Sequence, residues 1–206
     1  MFLFLPTFCS YVKREAEMKS KVILGYILAC LLSMAVCVTT ATAQGLSPSS
    51  PAPLGMPVVT MIECGEGYTS HELFDMKITL LEIVRGAKAW DLIKQVSVSN
   101  KPPKIGFEYL LARIRFEFSS RGSPQACSHD LRREQMTALS ADGKEYETPP
   151  VVPPKPELIG ILHSGKSLEG WIAFLVLQGD SKALMAFDPS SGGGLSRGRV
   201  VWFQLY

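Results

Sequence analysis

The chain is short of charge, histidine and cysteine. Charged residues make up 19% of its 206 residues, with 21 Lys+Arg against 19 Asp+Glu. A formal charge of +2 excludes a nucleic-acid binder that works by neutralising a run of phosphates. Three histidines and five cysteines leave little material for metal or nucleophilic chemistry, and no internal repeat is evident. Disorder is excluded by the opposite quantity, since 47% of the residues are apolar. The length fits one domain. Five is an odd number, which is awkward for a secreted protein that pairs its cysteines.

The apolar residues are concentrated at the start, where they make up roughly two thirds of residues 1–43. Met18-Lys19-Ser20-Lys21 is followed by the apolar run Val22 to Val38 and then by the small-residue exit Ala41-Thr42-Ala43 before Gln44. This order is that of a cleaved signal peptide, whose peptidase accepts only small side chains at A-x-A. A membrane anchor over residues 22–38 is the alternative. At ~1.5 Å per residue the run spans ~25 Å, short of the ~30 Å hydrocarbon core, and no basic flank follows it. Ile27-Leu28-Ala29-Cys30 has the look of a lipobox, but the residues after Cys30 stay apolar. Residues 1–17 place Glu15 and Glu17 where basic residues belong, so translation is expected to begin at Met18, with residues 1–17 a start-site artefact.

Cleavage changes the totals. It removes four of the 21 basic residues and two of the 19 acidic ones, which leaves 17 of each and no net charge. Cys9, Cys30 and Cys37 leave with the signal, so Cys64 and Cys127 remain as an even pair.

Residues 44–57 are Pro/Ser-rich and read as a flexible tether. The folded domain is expected over 58–206. Phe107–Phe118 is its clearest strand, with Leu110, Ala112, Ile114, Phe116 and Phe118 on one face and Tyr109, Leu111, Arg113, Arg115 and Glu117 on the other. Residues 74–84 begin with the same alternation. Asp142-Gly143 suits a hairpin turn between the short runs of 136–147. Residues 148–157 carry five prolines and must cross the surface extended, without ladder hydrogen bonds. Trp171 to Leu177 is apolar on both faces, as a covered strand is. Residues 183–187 and the closing RVVWFQLY supply two more strands, and 86–96 suits a short helix or another strand. The pattern predicts an all-β, antiparallel β-sandwich of about seven or eight strands.

The segments FEYLLARIRFEF, GKSLEGWIAFLV, ALMAFDP and VVWFQL resemble the immunoprotective extracellular immunoglobulin-like superfamily of small secreted bacterial domains, many of them domains of unknown function. The resemblance covers about residues 60–206. It implies an immunoglobulin-like sandwich and carries over no catalytic residue. The Pro-rich crossing and the Gly192-Gly193-Gly194 loop have no counterpart in it.

Candidate chemistry is thin. In an oxidising compartment Cys64 and Cys127 are expected to form one disulfide, contributing ~4 kcal/mol in the chain-entropy model. The rival is a Cys₂His₂ metal set with His71 and His129, whose spacings match no usual zinc module. His71, His129 and His163 fall in different expected loops or turns and are expected to be exposed. Ser190 to Gly194 lacks the Lys-Ser/Thr ending and following helix of a phosphate loop. Glu63, Glu66, Glu72 and Asp75 show no calcium-loop spacing and read as a solvated face. Trp90, Trp171 and Trp202 are expected to pack rather than stack sugars.

The chain therefore reads as an exported, non-catalytic binding module with no cofactor and no metal. It would act in the periplasm or outside the cell on a protein or envelope component, touching the membrane only through the uncleaved signal segment. Its candidate surfaces are 148–157 and 188–199. A secreted hydrolase with a loop-built site is the alternative.

Overall fold

Alternation along one strand organises the molecule. The computed structural model describes residues 44–64, 72–121, 127–193 and 197–206. The signal segment with Ala41 and Ala43, the run 22–38, Glu66 and His71 lie outside the described residues. Strand β3, Phe107–Ser120, is the fold's centre. Leu110, Ala112, Ile114, Phe116 and Phe118 are all within 1% of full burial, on the face the period-two pattern assigns to the core.

Around it run β1 (Pro57–Cys64), β2 (Glu72–Arg85), helix α1 (Ala87–Val96), β4 (Ser128–Leu131), β5 (Met136–Leu139), β6 (Gly160–His163), β7 (Lys166–Leu177), β8 (Leu184–Phe187), β9 (Arg197–Gly198) and β10 (Val201–Gln204). One sheet has the order β7-β3-β2-β1-β9, a second β10-β8-β5, and β4 pairs with β6. Every one of these ladders is antiparallel. The fold is the expected all-β antiparallel sandwich. Its described strands number ten rather than seven or eight, because β4, β6 and β9 are two to four residues long and too short to show a period.

The main core is shared by both sheets. Phe74, Met76, Ile78 and Leu80 of β2 join the inner face of β3, and Met185, Phe187, Val201 and Phe203 come from the second sheet. Phe116 and Phe187 meet edge-on across the layers, ring centroids 5.0 Å apart. In β2 a bulge between Leu80 and Glu82 reverses which side chains face inward. Beyond it Ile83 packs on the main core while Val84 packs on the opposite side of the sheet.

That opposite side is covered at one end by α1. Residues 86–96, which suited either a helix or a strand, form a helix. Gly86 holds φ 67° as the chain turns from β2, a conformation that favours glycine. Ala89 and Ile93 then bury against Tyr109 and Leu111 of β3 and Ala173 and Leu175 of β7. Asn100 closes the helix end, donating Nδ2–H to the Ile93 carbonyl at 2.7 Å.

The tether expected over 44–57 is instead part of the fold. Ala52 is fully buried and lies parallel to Phe203. Its N–H donates to the Trp202 carbonyl at 2.8 Å and its carbonyl accepts from Gln204 N–H at 2.8 Å. Gly45 accepts from Trp202 N–H at 2.8 Å. Proline and serine here make a turn-rich strap along the sheet edge, which composition alone does not separate from a free linker.

Candidate functional site

The candidate chemistry of the sequence lies in its cysteines, histidines and carboxylates. Cys64 ends β1 opposite Glu72. Cys127 precedes β4, is half-buried, packs against the main core, and accepts from Ser164 N–H at 3.0 Å. Ser164 belongs to the turn whose Gly165 N–H donates to the Phe118 carbonyl. The ladders therefore put the end of β1 and the residue before β4 at the same end of the sandwich.

The histidines part company. His163 is exposed at the end of β6, opposite Ser128. His129, expected on a solvent-exposed loop, is 1% exposed. The four-residue strand β4 alternates exposed and buried positions, and His129 falls on the inward side with Leu131. Its ring lies 6.5 Å from Phe118 and 6.3 Å from Phe187, centroid to centroid. Its Nε2 is 3.2 Å from Gln135 Oε1. Gln135 also accepts from Arg132 N–H at 3.1 Å and donates to the Pro189 carbonyl at 3.2 Å. Burial pushes the His129 imidazole below the ordinary histidine range, against the opposing pull of Gln135 and Asp130. This is a neutral core histidine that ties β4 to the segment after β8.

Among the described residues no three His, Cys, Asp or Glu come together as a metal-holding set. Asp75 of the acidic group is paired with Arg121 at 2.7 Å. Trp90 stacks on Tyr109 at 5.9 Å, Trp171 packs in the same helix-covered cluster, and both are half-buried, as is Trp202.

Two patterns of letters are neutralised by the fold. Gly160 to Ser167 spells G-x-x-x-x-G-K-S, the phosphate-loop pattern. It lies across a strand–turn–strand connection, with Gly160–His163 in β6, paired with β4, and Lys166 and Ser167 opening β7, paired with β3, so no helix N-terminus follows to hold a phosphate. Gly194 to Gly198 spells G-x-S-x-G. Its described end, Arg197–Gly198, is β9, paired with β1, where a nucleophile elbow needs a helix. Ser196 lies outside the described residues.

The two expected surfaces are more tied down than loops usually are. In 148–157, Arg133 donates to the Pro149 and Val151 carbonyls at 3.1 and 3.2 Å. Asn100 exchanges two bonds with Val152, at 2.9 and 3.0 Å. Glu157 bridges to Trp171 of β7. In 188–199, burial alone would raise the Asp188 carboxyl. The Ser190 hydroxyl and amide, with Ser191, outweigh it and hold the group below its ordinary value. Arg132 donates to the Gly192 carbonyl at 2.7 Å.

The open surface lies elsewhere, on the outer face of the five-stranded sheet beyond the helix. Lys77 pairs with Glu117 at 2.8 Å. Glu169 receives Arg113 at 2.6 Å and Arg115 at 2.7 Å. The Arg115 hydrogen bond, with Arg113 adding to it, holds the Glu169 carboxyl below its ordinary value. A groove of about 430 Å³ runs here past Val59, Asp75, Lys77, Glu117, Lys166 and Ser167. Val59, Met61 and Leu73 on its β1 side are all close to half exposed. The groove thus brings charges of both signs up against an aliphatic rim. The alternation of Arg113, Arg115 and Glu117 pointed to it; Lys77 and Lys166 join only through strand register.

No protein-family model and no curated protein matches the chain. Among solved structures, the ycdA protein of Bacillus subtilis is similar with a TM-score of 0.42 at 15% identity, over 63% of this chain and 35% of that one. The yjhA protein of Bacillus subtilis is similar with a TM-score of 0.40 at 14% identity, over 65% of this chain and 87% of that one. The chain thus spans about a third of the length of ycdA.

Proposed function

We propose that the chain is an exported, non-catalytic binding module of the periplasm or extracellular space. It belongs with the immunoprotective extracellular immunoglobulin-like domains it resembles. It is cut after Ala43, so that the mature protein begins at Gln44, and Cys64 and Cys127 are joined in one disulfide. Its ligand is a protein or envelope component, met on the open outer sheet face.

The seam at Gly45 carries the reading. Gly45, one residue after Gln44, already bonds to Trp202 and Ser50, so the described fold is formed from immediately after the expected cut. Among the described residues no helix is long and apolar enough to cross a membrane. The non-catalytic part is supported by His129, closed inside the core on Gln135, and by a groove that brings charges of both signs together without a histidine. The disulfide is supported by the shared end of the sandwich and by an even cysteine count after cleavage.

The test is expression of the full chain in a bacterial host. The expected outcome is release with Gln44 as first residue and an intact mass that rises by two hydrogens on reduction. Retention in the membrane with residues 22–38 intact would replace release by anchoring, and an unchanged mass on reduction would remove the disulfide. Saturable turnover on ester, glycoside or peptide panels would turn the reading into the hydrolase alternative. Pull-down from envelope extract, with Lys77→Glu as the control that should lose the partner, tests the face.

A further inference from the structure

The connection from α1 to β3 presents two aliphatic side chains that folding does not use. Val98 is 101% exposed and Ile105 103%, whereas the next most exposed large apolar residue described, Ile161, is at 62%. Each sits at a reverse turn. Asn100 N–H donates to the Ser97 carbonyl at 3.1 Å, and Phe107 N–H to the Lys104 carbonyl at 2.9 Å. Gly106 holds φ 83° in the second turn.

The turns are fixed from behind. Asn100 is buried and bonds to Ile93 and Val152, and Tyr109 Oη–H donates to the Lys101 carbonyl at 2.9 Å. Pro102 and Pro103 between them have fixed φ angles. Such tips are preorganised, so ordering them on contact costs little.

Charge gathers in the same stretch. Residues 86–106 hold Lys88, Lys94, Lys101 and Lys104 against Asp91 alone, in a chain whose residues from Gln44 on carry no net charge. Lys94 and Lys104 touch Asp91 and Glu147 at 2.6 and 2.7 Å, but these pairs are exposed and exchange partners at little cost.

We propose that the 97–106 connection docks the domain onto an anionic phospholipid surface. Val98 and Ile105 enter the headgroup layer, and Lys94, Lys101 and Lys104 meet lipid phosphates. Separate protruding aliphatics fit a deformable medium, since a protein partner would need a matched pocket for each. The absence of an exposed aromatic among them argues against stacked bases. The inference goes beyond the export reading, and a chain retained inside the cell would leave the vesicle result unchanged.

The test uses the chain from Gln44, which contains both cores and every described strand within the unit Thr42–Tyr206. It is sedimented with vesicles of phosphatidylcholine alone and of phosphatidylcholine mixed with phosphatidylglycerol. Binding is expected only to the mixed vesicles and should fall as salt rises. Val98→Asp with Ile105→Asp should abolish it without lowering the melting temperature. Lys101→Gln and Lys104→Gln should each weaken it roughly fivefold, and Ile161→Asp should leave it unchanged. Equal binding to both vesicles, no binding to either, or full binding by the folded double-aspartate variant would each overturn the proposal. A protein captured through Val98 and Ile105, with no vesicle binding, would reassign the surface to a protein partner.

Discussion

The outer face of β3 changes character halfway along. Over Tyr109 and Leu111 it is buried beneath α1, with Val84, Ala173 and Leu175 beside it. From Arg113 to Glu117 the same side of the same strand is open and carries ion pairs to Glu169 and Lys77. On the β7 side backbone pairing does not change across the boundary, since β3 keeps one register with β7 from Phe107 to Phe118, while on the β2 side the bulge between Leu80 and Glu82 falls opposite Arg113 and Ile114. What changes is the layer above. Ten residues of helix convert one half of a solvated sheet face into a second core. Burying a leucine there contributes on the order of 1.5–3 kcal/mol, whereas an exposed ion pair contributes about 0–1 kcal/mol.

Truncation at each end measures that difference. Leu111→Ala, in a fully buried site, should cost about 3 kcal/mol by lost transfer energy and a residual cavity. Arg115→Ala should cost under ~1 kcal/mol. Urea unfolding with unchanged slope reads both values. Equal costs would mean that α1 adds no core of its own.

Asn100→Ala attacks the junction of helix, Lys-Pro-Pro-Lys connection and Pro-rich crossing. It strands the Ile93 carbonyl and both backbone groups of Val152. A cost of about 2 kcal/mol follows from leaving one buried and two part-buried backbone groups unpaired. Amide hydrogen exchange should show the protection loss confined to α1 and 148–157. Uniform loss across the sandwich would show that the helix layer does not open by itself.

The sequence made one of these two cores legible and hid the other. Period-two alternation from Leu110 to Phe118 names the inner face, because every second residue there is apolar without exception. Tyr109 and Leu111 on the other face are followed by Arg113, Arg115 and Glu117, so the same periodicity reads the whole face as half wet. The bulge after Leu80 also escapes a pattern search, since a reversal of facing looks like a run apolar on both sides. His129 was misplaced for a related reason. Four residues of β4 are too few to establish a period, and its burial is set by Phe118 and Phe187 from distant strands. The strap at 44–57 was hidden by composition, because an edge segment and a tether draw on the same prolines and serines. The open site was half legible. Its β3 charges alternate in plain view, but register alone brings Lys77 to Glu117 and Lys166 into the groove.

The inner core carries its own titration. His129 is held below its ordinary value by burial, so the unfolded chain binds the proton more readily than the folded one. Its contribution is present above an unfolded value near 6.5 and is lost as pH falls through the lowered folded value. Stability should therefore decline from pH 7 towards pH 5 with a slope of up to ~1.4 kcal/mol per pH unit. His129→Gln should flatten that slope while lowering stability at neutral pH. A slope unchanged in the variant would assign the acid sensitivity to other groups.

The smallest effect belongs to the open end. Glu169 is 23% exposed and its two arginines 42% and 47%, so solvent screens the pairs and Glu169→Gln should cost about 0.5–1 kcal/mol. The Arg115 hydrogen bond, and then Arg113, lowers this carboxyl from an ordinary value of 4.5. Its contribution is present above that value and is lost as pH falls through the lowered folded one. The difference between wild type and Glu169→Gln should hold at pH 6 and shrink only below about pH 4.5, a window distinct from that of His129. Added salt should shrink it at pH 6 as well, while leaving the cost of Leu111→Ala in place. If salt left the Glu169 effect intact, the Arg113–Arg115–Glu169 cluster would be acting as a packed element. The open end would then be a continuation of the helix-covered one rather than its opposite.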